Sequence, residues 1–244
     1  QTVKENQMEV LKSLNIEPVY LPNYSMPNGR GEHIWFYDNL YFTKELLAEF
    51  IALSRSSQVY YTSCALKTGT TTRLTGSSLQ NVGRNSDYYV EYSLYYQDGD
   101  IITYQYNPII IDPDELSFSI TMPRHMCGAD EYFVSLTEKL IIQIDHWVNL
   151  WIANVLTTLS GAARLRNSSK LKQLWLALKA RSFNQWTILK QNNKIGNNCD
   201  IHPTAYIEGS TIGDYVTIGA GAVVRNSVIG NKVNLGNGVV IEES

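Results

Sequence analysis

The sequence predicts an α+β protein of more than one domain: an α/β region over 1–130, a helical linker over 131–190, and a three-coil parallel β-helix over 195–244. Three observations carry this reading. The last fifth of the chain repeats with a 17-residue period. The first part alternates short β-rich runs with well-punctuated helical ones. Between them lies a long stretch with helical apolar spacing.

In chain order, residues 2–14 show helical spacing at Val3, Met8, Val10 and Leu11, and Asn15–Leu21 reads as a short strand. Next, HIWFYDNLYFTKELLAEF reads as a strand, an Asp38-Asn39 turn and a helix with Thr43 as N-cap. A strand over 58–66 follows, giving a βαβ-like order. This run is similar to part of the sugar nucleotidyltransferase domain, in which an aspartate at a strand end meets metal and nucleotide. The resemblance implies Asp38 as a ligand of Mg²⁺ and nucleotide; a plain turn residue is the other reading. That family's Gly-rich nucleotide loop is absent from the sequence, so the domain is either degenerate or incomplete.

Residues 67–86 are rich in Thr, Gly and Ser and read as a long loop in which Arg73 is a candidate phosphate contact. Residues 88–106 hold seven tyrosines. Tyr88, Val90, Tyr92, Leu94 and Tyr96 alternate on one strand, and Asp98-Gly99 turns into a second strand carrying Ile102, Tyr104 and Tyr106. The aromatics make either a sheet face or a stacking surface for a sugar or base.

The linker starts as one helix over 132–159, apolar at Leu140, Ile141, Ile144, Val148, Ile152, Val155 and Leu159, and ends at Gly161. Gln143, His146, Asn154 and Thr157 fall on its other side, which makes His146 a candidate acid–base group. A second helix, KLKQLWLALKARSF, puts Leu171, Leu174, Trp175 and Leu178 on one face. Residues 164–194 hold eight basic residues and no acidic one. This basic stretch, with Trp175 and Trp186, reads either as a packed linker or as a contact with an anionic membrane or with phosphates.

The C-terminus divides into rows starting at Ile195, Ile212 and Ile229, each split six, six, five, the third stopping one residue short. The nine segments begin with Ile195, Ile201, Ile207, Ile212, Ile218, Val224, Ile229, Leu235 and Ile241. Four positions later stand Cys199, Ala205, Thr211, Val216, Ala222, Val228, Val233 and Val239. In extended chain, residues four apart share a face, so each segment is a short wall with one large and one small inward side chain. Three walls close a triangular coil. The segment resembles the hexapeptide-repeat superfamily, which implies a left-handed β-helix and three kinds of work. One is acyl transfer from an acyl-CoA or acyl carrier between subunits of a trimer, with a histidine as base; only His202 lies in these coils. Another is nucleotidyl transfer to a sugar phosphate, whose order of α/β domain, helix and β-helix this chain shares. The third is a non-catalytic oligomerisation scaffold.

Composition narrows the field. With 44% apolar and 18% charged residues the chain is an ordinary globular one, and a net charge of −3 argues against nucleic acid as a partner. Cys64, Cys127 and Cys199 are widely spaced and form no CxxC, which suggests reduced thiols and a cytoplasmic site. No signal peptide or long apolar span is visible. Gln1 at the start and the uncapped Glu242-Glu243-Ser244 suggest a segment of a longer protein or a processed chain. The reading is a sugar-nucleotide-type transferase, binding a small-molecule substrate as a homo-oligomer, with Asp38 and Arg73 as binding residues and His146 and His202 as catalytic candidates.

Overall fold

The computed structural model describes residues 2–21, 31–76, 87–99, 106–121, 128, 131–167, 169–180, 193–242 and 244. These form two compact units, 1–150 and 151–244.

In the first unit α1 (Val3–Ser13) starts with a reciprocal cap. Glu5 N–H donates to Thr2 Oγ1 (3.2 Å), and Thr2 N–H donates to the Glu5 carboxylate (2.8 Å). The next stretch, Asn15–Leu21, opens with a left-handed Asn15 and, among the described residues, pairs with no strand, contrary to expectation. β1 (Glu32–Phe36) and β2 (Leu40–Phe42) flank the Asp38-Asn39 turn, and α2 (Lys44–Ser56) follows. Its buried Leu46, Leu47, Phe50, Ile51 and Ser54 make a single helical stripe. Thr43 is at the N-cap as expected, but its side chain serves a different element. The hydroxyl donates to Glu138 O (2.8 Å) and accepts from Leu140 N–H (3.0 Å).

β3 (Tyr61–Lys67), α3 (Thr70–Gly76), β4 (Tyr89–Asp98) and β5 (Asn107–Ile111) come next. The sheet order is β1-β4-β3-β5, with β4 antiparallel to both neighbours and β5 parallel to β3. So β1, β3 and β5 run the same way. The βαβ-like order is present, but β4 is inserted between the two parallel strands it joins. The 67–86 loop is partly ordered as α3; 77–86 lie outside the described residues. Of the expected second hairpin strand, Ile102 and Tyr104 also lie outside them. The next described strand, β5, pairs with β3 rather than with β4.

Val90, Tyr92, Leu94 and Tyr96 all turn inward, as the alternation predicts, and pack with Cys64, Leu66, Ile111 and the apolar stripe of α2. Burial pushes the Cys64 thiol strongly up, so it is inert packing. β6 (Leu116–Thr121) pairs with β7 (Glu131–Leu136), and β2 pairs with β8 (Ile141–Gln143). The helix expected from residue 132 is therefore wrong over its first half. Glu131–Leu136 and Ile141–Gln143 are strands, and α4 begins at Trp147 and runs through Gly161 to Asn167. Its buried stripe is Asn149, Ala153, Leu156 and Ser160, one residue on from the expected Val148, Ile152, Val155 and Leu159. Gln143 is buried in β8, so no polar stripe joins it to Asn154 and Thr157.

In the second unit α5 spans Lys170–Ala180, and Trp186 lies outside the described residues. Then nine short strands, β9 (Lys194–Ile195) to β17 (Val240–Glu242), form three parallel sheets: β9-β12-β15, β10-β13-β16 and β11-β14-β17. Here β10 is Asp200–Ile201, β11 Tyr206–Glu208, β12 Thr211–Ile212, β13 Thr217–Ile218, β14 Val223–Arg225, β15 Val228–Ile229 and β16 Asn234–Leu235. Every residue pairs with the one 17 positions on, as in Asp200 with Thr217 and Thr217 with Asn234. This is a three-coil left-handed β-helix. Ile212, Val216, Ile218, Ala222, Val224, Ile229 and Leu235 fill its core.

One column differs from expectation. On the five-residue wall Thr211 and Val228 point outward, and Ser210 and Ser227 are the buried companions, 2% and 0% exposed. Losing one residue at the corner moves the inward position one step earlier. The serines then form a polar thread. Ser227 N–H donates to Ser210 Oγ (3.1 Å) and Ser244 N–H to Ser227 Oγ (3.1 Å), so each buried hydroxyl has a partner.

Candidate functional site

Both units supply expected site residues. In the sheet unit, the carboxyl ends of β1, β3 and β5 lead to the Asp38 turn, to α3 and to Asp112. Such ends are where open α/β sheets bind ligands. The Asp38 turn is pinned from below. Gln7, only 5% exposed, sends its amide from α1 to the carbonyls of Tyr37 (3.3 Å), Asp38 (3.1 Å) and Leu40 (2.8 Å). Asn39 ties the turn sideways: its amide donates to Asp145 Oδ1 (2.9 Å) and accepts from Gln143 Nε2 (2.9 Å). Asp38 itself is exposed, and among the described residues nothing pairs with its carboxylate. The turn is thus fixed while its acid is uncommitted among the described residues.

This donor set suits Mg²⁺ only in one form. Among the described residues no three His, Cys, Asp or Glu converge on a point. Mg²⁺ usually keeps several waters and takes one or two carboxylates plus substrate phosphates. Asp38, with Asp145 held beside its turn, fits an ion that arrives with phosphates rather than a resident metal. Arg73 is exposed on α3, whose first turn is closed by a carboxylate from elsewhere. Glu115 accepts from the backbone N–H groups of Thr70 (3.0 Å) and Thr71 (2.7 Å). The N-terminus of α3 is therefore filled, and Arg73 is its one outward cation.

The aromatic surface is not the expected one. Tyr92 and Tyr96 are buried in the core. The opposite face carries Trp35 stacked on Tyr95 (ring centroids 4.1 Å apart), with Tyr106 against both (5.9 and 4.7 Å) and Tyr61 edge-on to Tyr106 (6.2 Å). These rings are spent largely on each other. Burial pushes the Tyr95 and Tyr106 phenols up.

Both candidate histidines make local hydrogen bonds to the backbone. His146 is the N-cap of α4: Val148 N–H donates to its Nδ1 (3.3 Å), and His146 N–H donates to Asn149 Oδ1 (3.0 Å). His202 sits at a coil corner, where its Nδ1 accepts Thr204 N–H (3.2 Å) and contacts Thr204 Oγ1 (2.8 Å). A backbone N–H can only donate, so in both rings Nδ1 accepts and the neutral ring carries its proton on Nε2. In each ring Nδ1 is engaged with the backbone two residues on. Asp38 and Arg73 belong to the first unit and His202 to the second.

Sequence reasoning missed Gln7, Asn39 and the asparagine corners of the β-helix. Asp214 N–H donates to Asn231 Oδ1 (2.8 Å) and Ala220 N–H to Asn237 Oδ1 (2.8 Å), each one coil on. The glycine before each corner leaves room for this. A Cβ on Gly213 would lie 2.4 Å from Asn231 Oδ1, and one on Gly219 2.5 Å from Asn237 Oδ1. The repeated phrase of Ile or Leu, Gly, then Asn or Asp was the available signal.

Residues 192–226 match the family model for the bacterial transferase hexapeptide (six repeats). The coiled segment is a hexapeptide-repeat β-helix. The third coil, from Ile229, continues the same pairing beyond the matched residues. No curated protein matches the chain. Among the described residues no helix is long and apolar enough to cross a membrane.

Proposed function

We propose that the protein is a sugar-nucleotide-type transferase, in which the sheet unit binds a nucleoside triphosphate or sugar phosphate as its Mg²⁺ complex and the β-helix assembles the chains. The observation that carries this is the pinned Asp38 turn: a buried amide and a neighbouring asparagine fix the backbone and leave an uncommitted carboxylate at the end of a parallel strand. Arg73, on the helix after β3, supplies a cation for phosphate. The hexapeptide match supports transferase work in general. Acyl transfer has less support, because that chemistry needs a base and Nδ1 of His202 is engaged with Thr204 N–H.

The test is a thermal-shift titration with Mg²⁺-nucleoside triphosphates, nucleotide sugars and acetyl-CoA. A ligand at 100 times its dissociation constant stabilises by about 2.7 kcal/mol. A Mg²⁺-dependent nucleotide shift that Asp38→Asn abolishes is expected. A shift with acetyl-CoA alone would restore acyl transfer, and no shift with any ligand would leave the scaffold reading.

A further inference from the structure

The α5 helix exposes a face of large apolar side chains. Leu171, Leu174, Trp175 and Leu178 are 81%, 50%, 61% and 66% exposed, whereas Ala177 is 5% exposed. At about 100° per residue, the four exposed side chains fall within an arc of about 100°. Lys170 lies about 40° before that arc and Lys172 about 60° beyond it, and both are exposed. An apolar stripe fringed on both sides by ammonium groups is the pattern of a helix lying in a membrane interface. The stripe sinks toward the acyl chains, and the lysine stems reach back to the phosphates. Tryptophan favours that same boundary.

Charge identifies the partner. The chain has no acidic residue between Asp145 and Asp200, and residues 164–194 hold eight basic ones. The rest of the chain carries 12 basic and 23 acidic residues, a net −11. The partner must therefore offer negative charge and an apolar layer together. A second copy of α5 would bring the same positive fringe and be repelled. A bilayer with anionic headgroups meets both demands, and being fluid it accepts a convex helix face.

We propose that α5 docks the protein reversibly on anionic membranes through Leu171, Leu174, Trp175 and Leu178, with Lys170 and Lys172 at the headgroups. One short helix buries few side chains, so the contact depends on lipid charge and on salt. This assignment stands independently of the Asp38 site.

The experiment is co-sedimentation of the full chain with phosphatidylcholine vesicles, with and without phosphatidylserine. Binding is expected only when phosphatidylserine is present, with release in high salt. Lys170→Gln and Lys172→Gln should each weaken it about five-fold, the value of one surface charge. The double variant Leu171→Ser/Trp175→Ser should bring binding to background. Because both side chains are exposed, its circular dichroism should match the parent. Trp175→Phe should keep binding while removing part of the blue shift in tryptophan emission. Equal binding to both vesicles, or binding to neither, overturns the proposal. So does self-association in sedimentation analysis that the double serine variant abolishes, since that would make a second copy the occupant.

Discussion

Each inward side chain of the β-helix has an equivalent 17 residues away; no element of the sheet unit has a copy. The difference shows in where the stabilising contacts lie along the chain. Within the coils, a strand's partners are one period before and one after it, so contacts are strictly local. In the sheet unit β2 finds β8 about a hundred residues on, Gln7 reaches a turn 33 residues away, and β1 meets β4 before β3. A repeat can thus be stable as a sum of neighbours, whereas the sheet must close long loops before any contact forms.

Substitutions can break this comparison. Phe50→Ala should have the largest effect, about 3–5 kcal/mol lost, because Phe50 is fully buried where α2 meets the sheet. Ile218→Ala removes an equally buried side chain from the coil core, and about 2–5 kcal/mol is expected. Urea unfolding followed by far-UV circular dichroism measures both. If the comparison holds, deleting residues 212–228, one whole coil, should leave a folded protein with the parallel-strand signal of a shorter solenoid.

Ser227→Ala is the next step down. It strips the buried acceptor from Ser244 N–H and the donor to Arg225 O, and should cost about 1–3 kcal/mol. Ser227→Val tests the register itself. If Val228 were the inward residue, valine at 227 would sit at the surface and cost little. Since 227 is the inward position, that variant should be the more damaging of the two.

The smallest effect concerns pH. Arg55 grips the Glu32 carboxylate with two bonds (2.8 and 2.6 Å), Tyr96 adds a third (2.7 Å), and together they hold Glu32 below the usual carboxylate range. A depressed folded pKa stabilises above the unfolded value, and that contribution disappears as pH falls through the folded one. The pair is roughly half exposed, so its worth is under about 1 kcal/mol. Arg55→Met should lower stability at neutral pH by under about 1 kcal/mol, leave it unchanged in strong acid, and so flatten the acid limb of the stability–pH curve below about pH 4.3. Tyr96 works at the opposite end. Burial and the bond to Glu32 push its phenol up to about 12, so its contribution is intact below about pH 10 and is lost as pH rises through 12.

These differences explain what could be read from the sequence. The β-helix was legible wall by wall, because a period of 17 supports each inward position with two others. Its misread column, Thr211 and Val228 for Ser210 and Ser227, arose on the shortened wall, where counting from the aliphatic no longer gives the right face. In the sheet unit the capped helices and the burial of Val90 to Tyr96 were legible, since local pattern decides them. Ile141 and Ile142 were not. A short apolar run fits a buried strand as well as a helix, and only β2, far away in sequence, makes it a strand. The Asp98-Gly99 turn promised a hairpin, but most of its second strand lies outside the described residues, and the next described strand, β5, extends β3. The Asp38 turn was visible, but its clamp was not: a glutamine in a helix gives no sign that it will be buried against three carbonyls. His146 stood out as a histidine among apolar residues, and its role as a helix cap depends on where α4 begins.

The constant spacing of the coils has a consequence for how such a chain can vary. Each wall reads its inward residues by count, much as a ribosome reads codons, so one residue inserted within a wall is a frameshift. Every later aliphatic would rotate out, and every Gly-Asn corner would lose the partner one coil on. Whole additions of 17, or insertions looped out at a corner, keep the frame. Length changes in this segment are therefore channelled to its corners, where a lineage can add a new loop without re-spelling the rest.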